Sequence, residues 1–148
     1  MNYSKRRLDV IIGENTAERI KKEIGCAMPL LTEEYREIRG RDLYTGLPVV
    51  KSISSTEVEQ ALKKSINKII ESVKVALEQT PPELVSDIAV NGLVVAGGGA
   101  LIKNIDRILK ERLEIPVSIA SEPLDCVVNG KKRMLEDINT LKKVAKHF

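Results

Sequence analysis

Between Leu93 and Ala120 the chain runs from an apolar strand through three consecutive glycines and a helix to a second apolar strand, an order that sets the fold class as α/β. Leu93-Val94-Val95-Ala96 is a continuous apolar run bounded by glycines, the mark of a buried parallel strand. Gly97-Gly98-Gly99 then lets backbone approach a ligand with no Cβ in the way. A helix opening near Ala100, with Leu101, Ile102, Ile105, Ile108, Leu109 and Leu113 as its apolar residues, would turn unpaired N–H groups toward that ligand. Ile115–Ala120 is the second strand, with Pro116 at its start, where a missing N–H is tolerated. The unit is α/β, and ligands in such sheets bind beyond the carboxyl ends of the strands, where the glycine turn falls. The glycines alone fit a ligand-free tight turn equally well. They form neither a GxGxxG fingerprint nor a Walker loop.

The rest of the chain is read around this unit. A short helix is expected over about 2–10, stopped around Gly13, and a clearer one over Thr16–Ile24, terminated by Gly25. Residues 34–53 are strand-like, with turns at Gly40 and Thr45-Gly46-Leu47-Pro48 and a β-branched run Val49–Ile53. Two overlapping capping boxes, Ser54 with Glu57 and Thr56 with Glu59, open a long helix. Its apolar stripe is Val58, Leu62, Ile66, Ile69, Val73 and Ala76. Thr80-Pro81-Pro82-Glu83 starts another helix with Thr80 as cap, and Gly92 ends it. Two helical stretches, about 122–129 and 133–145, finish the chain.

Composition narrows the function classes. Aromatics are 3% with no Trp, so the core is aliphatic and a base-stacking nucleic-acid module is disfavoured. The net charge of +3 comes with short basic clusters at 5–7, 131–133 and 142–143, which read as solvated helix faces. Cys26 and Cys126 form no metal spacing and no disulfide framework, which points to a reducing interior, with Cys26 packed rather than reactive. His147 has no partner in the sequence. No apolar run approaches the ~20 residues that span a bilayer, and Lys5-Arg6-Arg7 is not followed by a signal-peptide core, so a cytoplasmic location is expected.

Several segments together resemble the MreB family of bacterial actins. They are Gly13-Glu14-Asn15-Thr16-Ala17-Glu18-Arg19-Ile20-Lys21, Arg39-Gly40-Arg41-Asp42-Leu43, Thr45-Gly46-Leu47-Pro48, Thr80-Pro81-Pro82-Glu83-Leu84 with Asp87-Ile88, Gly97-Gly98-Gly99-Ala100-Leu101-Ile102, Glu122-Pro123-Leu124 and Leu135-Glu136-Asp137-Ile138. The glycine motif alone would fit the wider actin, chaperone and sugar-kinase superfamily. The PPEL and RGRDL segments are similar to MreB itself.

The resemblance implies the carboxy-terminal part of an actin-like (ribonuclease H-like) ATPase fold with a small α+β subdomain inserted. Residues 1–26 and 79–148 would form a nucleotide-binding subdomain and residues 27–78 the insert. Glu18, Arg19, Ile20 and Lys21 match the family helix that flanks adenine and ribose. Gly97, Gly98, Gly99, Ala100 and Leu101 match the turn beneath the base and near phosphate. Alone, Glu18 and Lys21 suit an exposed ion pair one turn apart better than a binding pair. The implied cofactor is ATP or ADP, with Mg²⁺ only where the missing half is supplied. The family's first domain and phosphate loops have no match, so the chain is expected not to hydrolyse ATP by itself. The implied parent function is an ATP-dependent filament in cell-shape determination at the inner face of the membrane. The alternative is a non-enzymatic interaction module of the same fold that has lost nucleotide binding. Expected partners are further copies, other actin-like subunits or the missing amino-terminal half, without nucleic acid and without direct membrane contact. Asn129-Gly130-Lys131-Lys132-Arg133 departs from the family's glycine-rich stretch, placing bulky basic groups near the implied hinge.

Overall fold

The computed structural model describes residues 2–136. A short helix α1 (Asn2–Arg7) ends sooner than its sequence suggests, because Asp9 turns left-handed at φ 54 and Val10–Ile11 become strand β1. Helix α2 (Glu14–Ile24) starts two residues before Thr16 and buries Ile20 and Ile24. Strands β2 (Tyr35–Asp42) and β3 (Pro48–Ser54) form an antiparallel hairpin around the Thr45–Leu47 turn, and β1 adds to the far edge of β2.

Gly40 is not a turn. It lies mid-strand opposite Val49, and a Cβ there would come within 2.5 Å of both the Ile11 carbonyl and a Val10 methyl. The glycine is what lets β1 close on β2.

Helix α3 (Ser55–Glu78) begins with one complete capping box. Ser54 Oγ accepts from the Glu57 N–H and Glu57 accepts from the Ser54 N–H. The second box does not form, since Thr56 is already inside the first turn and its hydroxyl goes to Glu33. The buried stripe also differs from expectation at its far end. Ile70 is fully buried, whereas Ile69 is 46% exposed.

Helix α4 (Pro82–Asn91) is capped by Pro81 without a side-chain bond, because the Thr80 hydroxyl donates back to the Ala76 carbonyl at 2.7 Å. The parallel pair β4 (Leu93–Val95) and β5 (Val117–Ile119) matches the expected strands in shorter form, but β4 is not the buried strand its apolar run suggests, since Val94 is 70% exposed with no described strand on its other edge. Between them the chain makes one 3₁₀ turn (Gly98–Leu101), a break at left-handed Asn104, and then α5 (Ile105–Leu113). The final described helix, α6 (Cys126–Glu136), runs unbroken through the 129–133 basic stretch where two helices were expected. The expected continuation to 145 lies outside the described residues.

Two apolar clusters hold these elements. The first joins Val10, Ile12, Ile20, Ile24, Ile38, Ile53 and Val58 between the three-stranded sheet, α2 and the start of α3. The second joins Ala27, Ile66, Ile70, Ile105 and Leu109 between the middle of α3 and α5. Leu62 packs against both, so α3 is their shared wall. Cys26 is fully buried between them, and burial pushes its thiol pKa up, as suits a packed, unreactive group.

Candidate functional site

The glycine turn and α2 meet because one residue ties them. Lys103 donates its N–H to the Gly25 carbonyl at 3.1 Å and accepts from the Ala27 N–H at 2.8 Å. Its ammonium pairs with Glu34 at 2.6 Å. The carboxyl end of α2 is thereby fixed beside the segment that follows the turn.

A cleft of 590 Å³ opens between the two. It is lined by Glu18, Lys21 and Lys22 on one side and by Gly98, Gly99, Leu101, Ile102 and Leu124 on the other. Lys21 Nζ lies 2.5 Å and Lys22 Nζ 3.6 Å from the Glu18 carboxylate. Hydrogen bonding from Lys21 holds the Glu18 pKa below its ordinary value, so this carboxylate stays ionised and accepting at neutral pH. Half-exposed Leu101 and partly buried Ile102 give the cleft an apolar wall.

Of the nine residues singled out from the sequence, five line this cleft: Glu18, Lys21, Gly98, Gly99 and Leu101. The other four do not. Arg19 turns away to pair with Glu23 at 3.3 Å and to donate to the Glu37 carbonyl. Ile20 and Ala100 are buried, Ile20 within the first apolar cluster. Gly97 immediately precedes the turn at φ 81, a backbone angle that favours glycine, and donates to the Pro123 carbonyl at 2.6 Å. Lys22, Ile102 and Leu124 were not singled out. Leu124 carried a signal, since it ends the Glu122-Pro123-Leu124 segment and is an apolar residue in a polar loop.

The turn also differs from the expected helix start. A single 3₁₀ turn at Gly98–Leu101 replaces the opening of a long helix, so α5 begins only at Ile105. Gly98 and Gly99 have ordinary backbone angles. A Cβ at Gly98 would meet only Leu124 Cδ2, at 3.7 Å, and one at Gly99 would meet nothing within 4 Å. The protein itself leaves room at both positions. What their missing side chains keep open is the cleft.

A family model described as MreB/Mbl protein matches residues 1–143. The chain belongs to the MreB/Mbl family. It is 43% identical over 143 residues to the cell shape-determining protein Mbl of Bacillus subtilis, covering 97% of this chain and 43% of Mbl. It is 49% identical over 141 residues to the cell shape-determining protein MreB of Escherichia coli, covering 94% of this chain and 40% of that MreB. Among solved structures, MreB5 of Spiroplasma citri bound to ADP superposes with a TM-score of 0.90 at 40% identity, over 99% of this chain and 44% of MreB5. A MamK double helical filament shares the fold with a TM-score of 0.74 at 23% identity, over 92% of this chain and 42% of MamK. The α/β architecture is thus that of the actin-like MreB proteins, and the chain spans less than half the length of these relatives. Among the described residues no helix is long and apolar enough to cross a membrane.

Proposed function

We propose that this chain carries the adenosine side of the nucleotide site of an MreB-type, shape-determining filament protein, binding ATP or ADP between α2 and the glycine turn. The observation that carries the reading is the cleft that brings Glu18 and Lys21 opposite Gly98 and Gly99. Its volume of 590 Å³ lies in the range of small-molecule sites. MreB5, its relative at 40% identity, is described bound to ADP and to AMPPNP.

In this reading Leu101, Ile102 and Leu124 face the flat, apolar base. Glu18, ionised and steered by Lys21, accepts from ribose hydroxyls, and the bare backbone of Gly98 and Gly99 leaves room beneath the base and first phosphate. Arg19, Ile20, Gly97 and Ala100 act by positioning: the first two set α2 on its sheet, and the others shape the turn. Mg²⁺ and phosphoryl transfer are assigned to the part of the fold beyond this chain. Among the described residues no three carboxylate, imidazole or thiol groups gather to hold a metal. The chain divides in this proposal into 1–26 with 79–148 and an inserted 27–78. The Cys26–Lys103 bridge joins the outer two segments, while β1–β2 pairing fastens the insert to the first. The site of action is the cytoplasmic face of the membrane, and assembly is with further actin-like subunits.

The test is calorimetric titration of ADP into the wild type and Gly98→Val. The variant is expected to bind about tenfold more weakly or worse. Equal affinity in both removes the turn from the site. An unbound wild type favours the interaction-module reading.

A further inference from the structure

The two walls of the cleft belong to different packing units. Helix α2, which carries Glu18 and Lys21, buries Ile20 and Ile24 in the first apolar cluster, whereas the segment after the glycine turn leads into α5 and the second. Backbone bonds from Gly25 and Ala27 to Lys103 join the walls at one place, the carboxyl end of α2. A single attachment makes a pivot and leaves the angle free. Glu18 stands about 10 Å along the helix from Gly25, at 1.5 Å of rise per residue. A tilt of about 10° about that pivot would carry it roughly 2 Å, more than a hydrogen bond tolerates.

The second attachment is ionic and lies behind the cleft. Among the described residues, Glu34–Lys103 is the one ion pair that joins a residue before 79 to a residue after 92. Glu34 is anchored at the start of α3. Its N–H donates to Ser55 Oγ at 3.1 Å, its carbonyl accepts from the Ser55 N–H at 2.8 Å, and Ser55 is 1% exposed. From Glu34 the charges alternate back to α2. Arg36 lies 3.9 Å from Glu34 and 3.2 Å from Glu23, and Glu23 lies 3.3 Å from Arg19. Each carboxylate is shared by two cations, so the five side chains act as one link. None of the five lines the cleft, yet Arg19, Glu23 and Lys103 directly follow its residues Glu18, Lys22 and Ile102.

We infer that this ionic link sets the angle between α2 and the glycine turn, with Glu34 and Arg36 as positioning residues for the ligand of the cleft. The ligand is taken from the nucleotide reading, whereas the geometry stands apart from it. Partly exposed pairs of this kind contribute little to stability singly. Their effect falls on where Glu18 and Lys21 are held.

The experiment measures the wall-to-wall distance and ADP affinity separately. Spin labels at Asn15→Cys, on the exposed start of α2, and Leu101→Cys report the distance without nucleotide, in a Cys126→Ser background with buried Cys26 left in place. Calorimetry on unlabelled protein gives the affinity. The variants are Glu34→Ala, Lys103→Met, the two combined, and Arg36→Met. Each single variant is expected to shift or broaden the distance and to weaken ADP binding about threefold to tenfold, while melting close to the wild type. The combined variant is expected to lose no more than the worse single one, because both act through one contact. An unchanged distance overturns the inference, as does a changed distance with unchanged affinity, or losses that add in the combined variant. A wild type that binds no ADP removes the nucleotide reading, and the distance alone then decides whether the ionic link sets the angle.

Discussion

The two ends of α3 share one helix but not one kind of environment. At its start, Val58 packs into a closed cluster with Val10, Ile12, Ile20, Ile24, Ile38 and Ile53, roofed by three paired strands and α2. Toward its end, Ile69 and Val75 are about half exposed, α4 and α6 bury none of their described residues, and the sheet has two short strands. The end is the more apolar in sequence, with six apolar residues over 67–78 against four over 55–66. The difference teaches that an apolar stripe states what a helix face can bury, whereas burial itself needs a neighbour.

The sharpest way to break this comparison is to remove matched side chains from the two regions. Ile38→Ala, in the fully buried centre of β2, is expected to destabilise by about 2–5 kcal/mol in denaturant titration. Ile69→Ala is expected to change stability by no more than about 0.5 kcal/mol. If both cost the same, the second region is closed in solution.

A smaller effect separates the glycines. Gly92 sits at φ 80, ψ −172, and a Cβ there would lie 2.5 Å from the Pro116 carbonyl. Gly92→Ala is therefore expected to cost about 1–3 kcal/mol, while Gly98→Ala stays within about 0.5 kcal/mol. Thermal melts of the pair show whether the glycine turn is kept for structure or for the cleft. A large loss in Gly98→Ala would make it structural.

The smallest effect concerns the ion pair between the regions. Hydrogen bonding from Lys103 holds the Glu34 pKa below its ordinary value of 4.5. A depressed folded-state pKa contributes stability above the unfolded value, and this is lost as pH falls through the folded one. Glu34→Gln should thus lose a little stability at neutral pH and show a shallower decline as pH falls below that ordinary value. Identical acid melting curves for variant and wild type would show that the pair contributes nothing.

Much of the fold was legible in particular residues. Ser54 and Glu57 announced the start of α3, Pro81-Pro82 the start of α4, and the glycine-bounded Leu93–Ala96 run the parallel strand. What escaped depended on distant neighbours. Gly40 reads as a turn until β1 is seen pressed against it, and Thr56 reads as a cap until Glu33 takes its hydroxyl. Asn104 offered a local hint of the break before α5, because asparagine tolerates the left-handed conformation it adopts. The cleft was half legible. The resemblance pointed to Glu18, Lys21 and the glycines, but a nine-residue motif cannot say which of its members face outward. Arg19 and Ile20 follow Glu18 directly and point elsewhere, since successive residues on a helix are about 100° apart.

The Lys103 tie has a consequence for the order of assembly. Its ammonium reaches a carboxylate 69 positions earlier, and its backbone reaches Gly25 and Ala27, earlier still. Closing so long a loop costs entropy that nearby contacts do not repay, so such links form after the hairpin and the helices. The walls of the cleft are thus expected to exist early as separate pieces, with the space between them among the last features of the folding chain to appear.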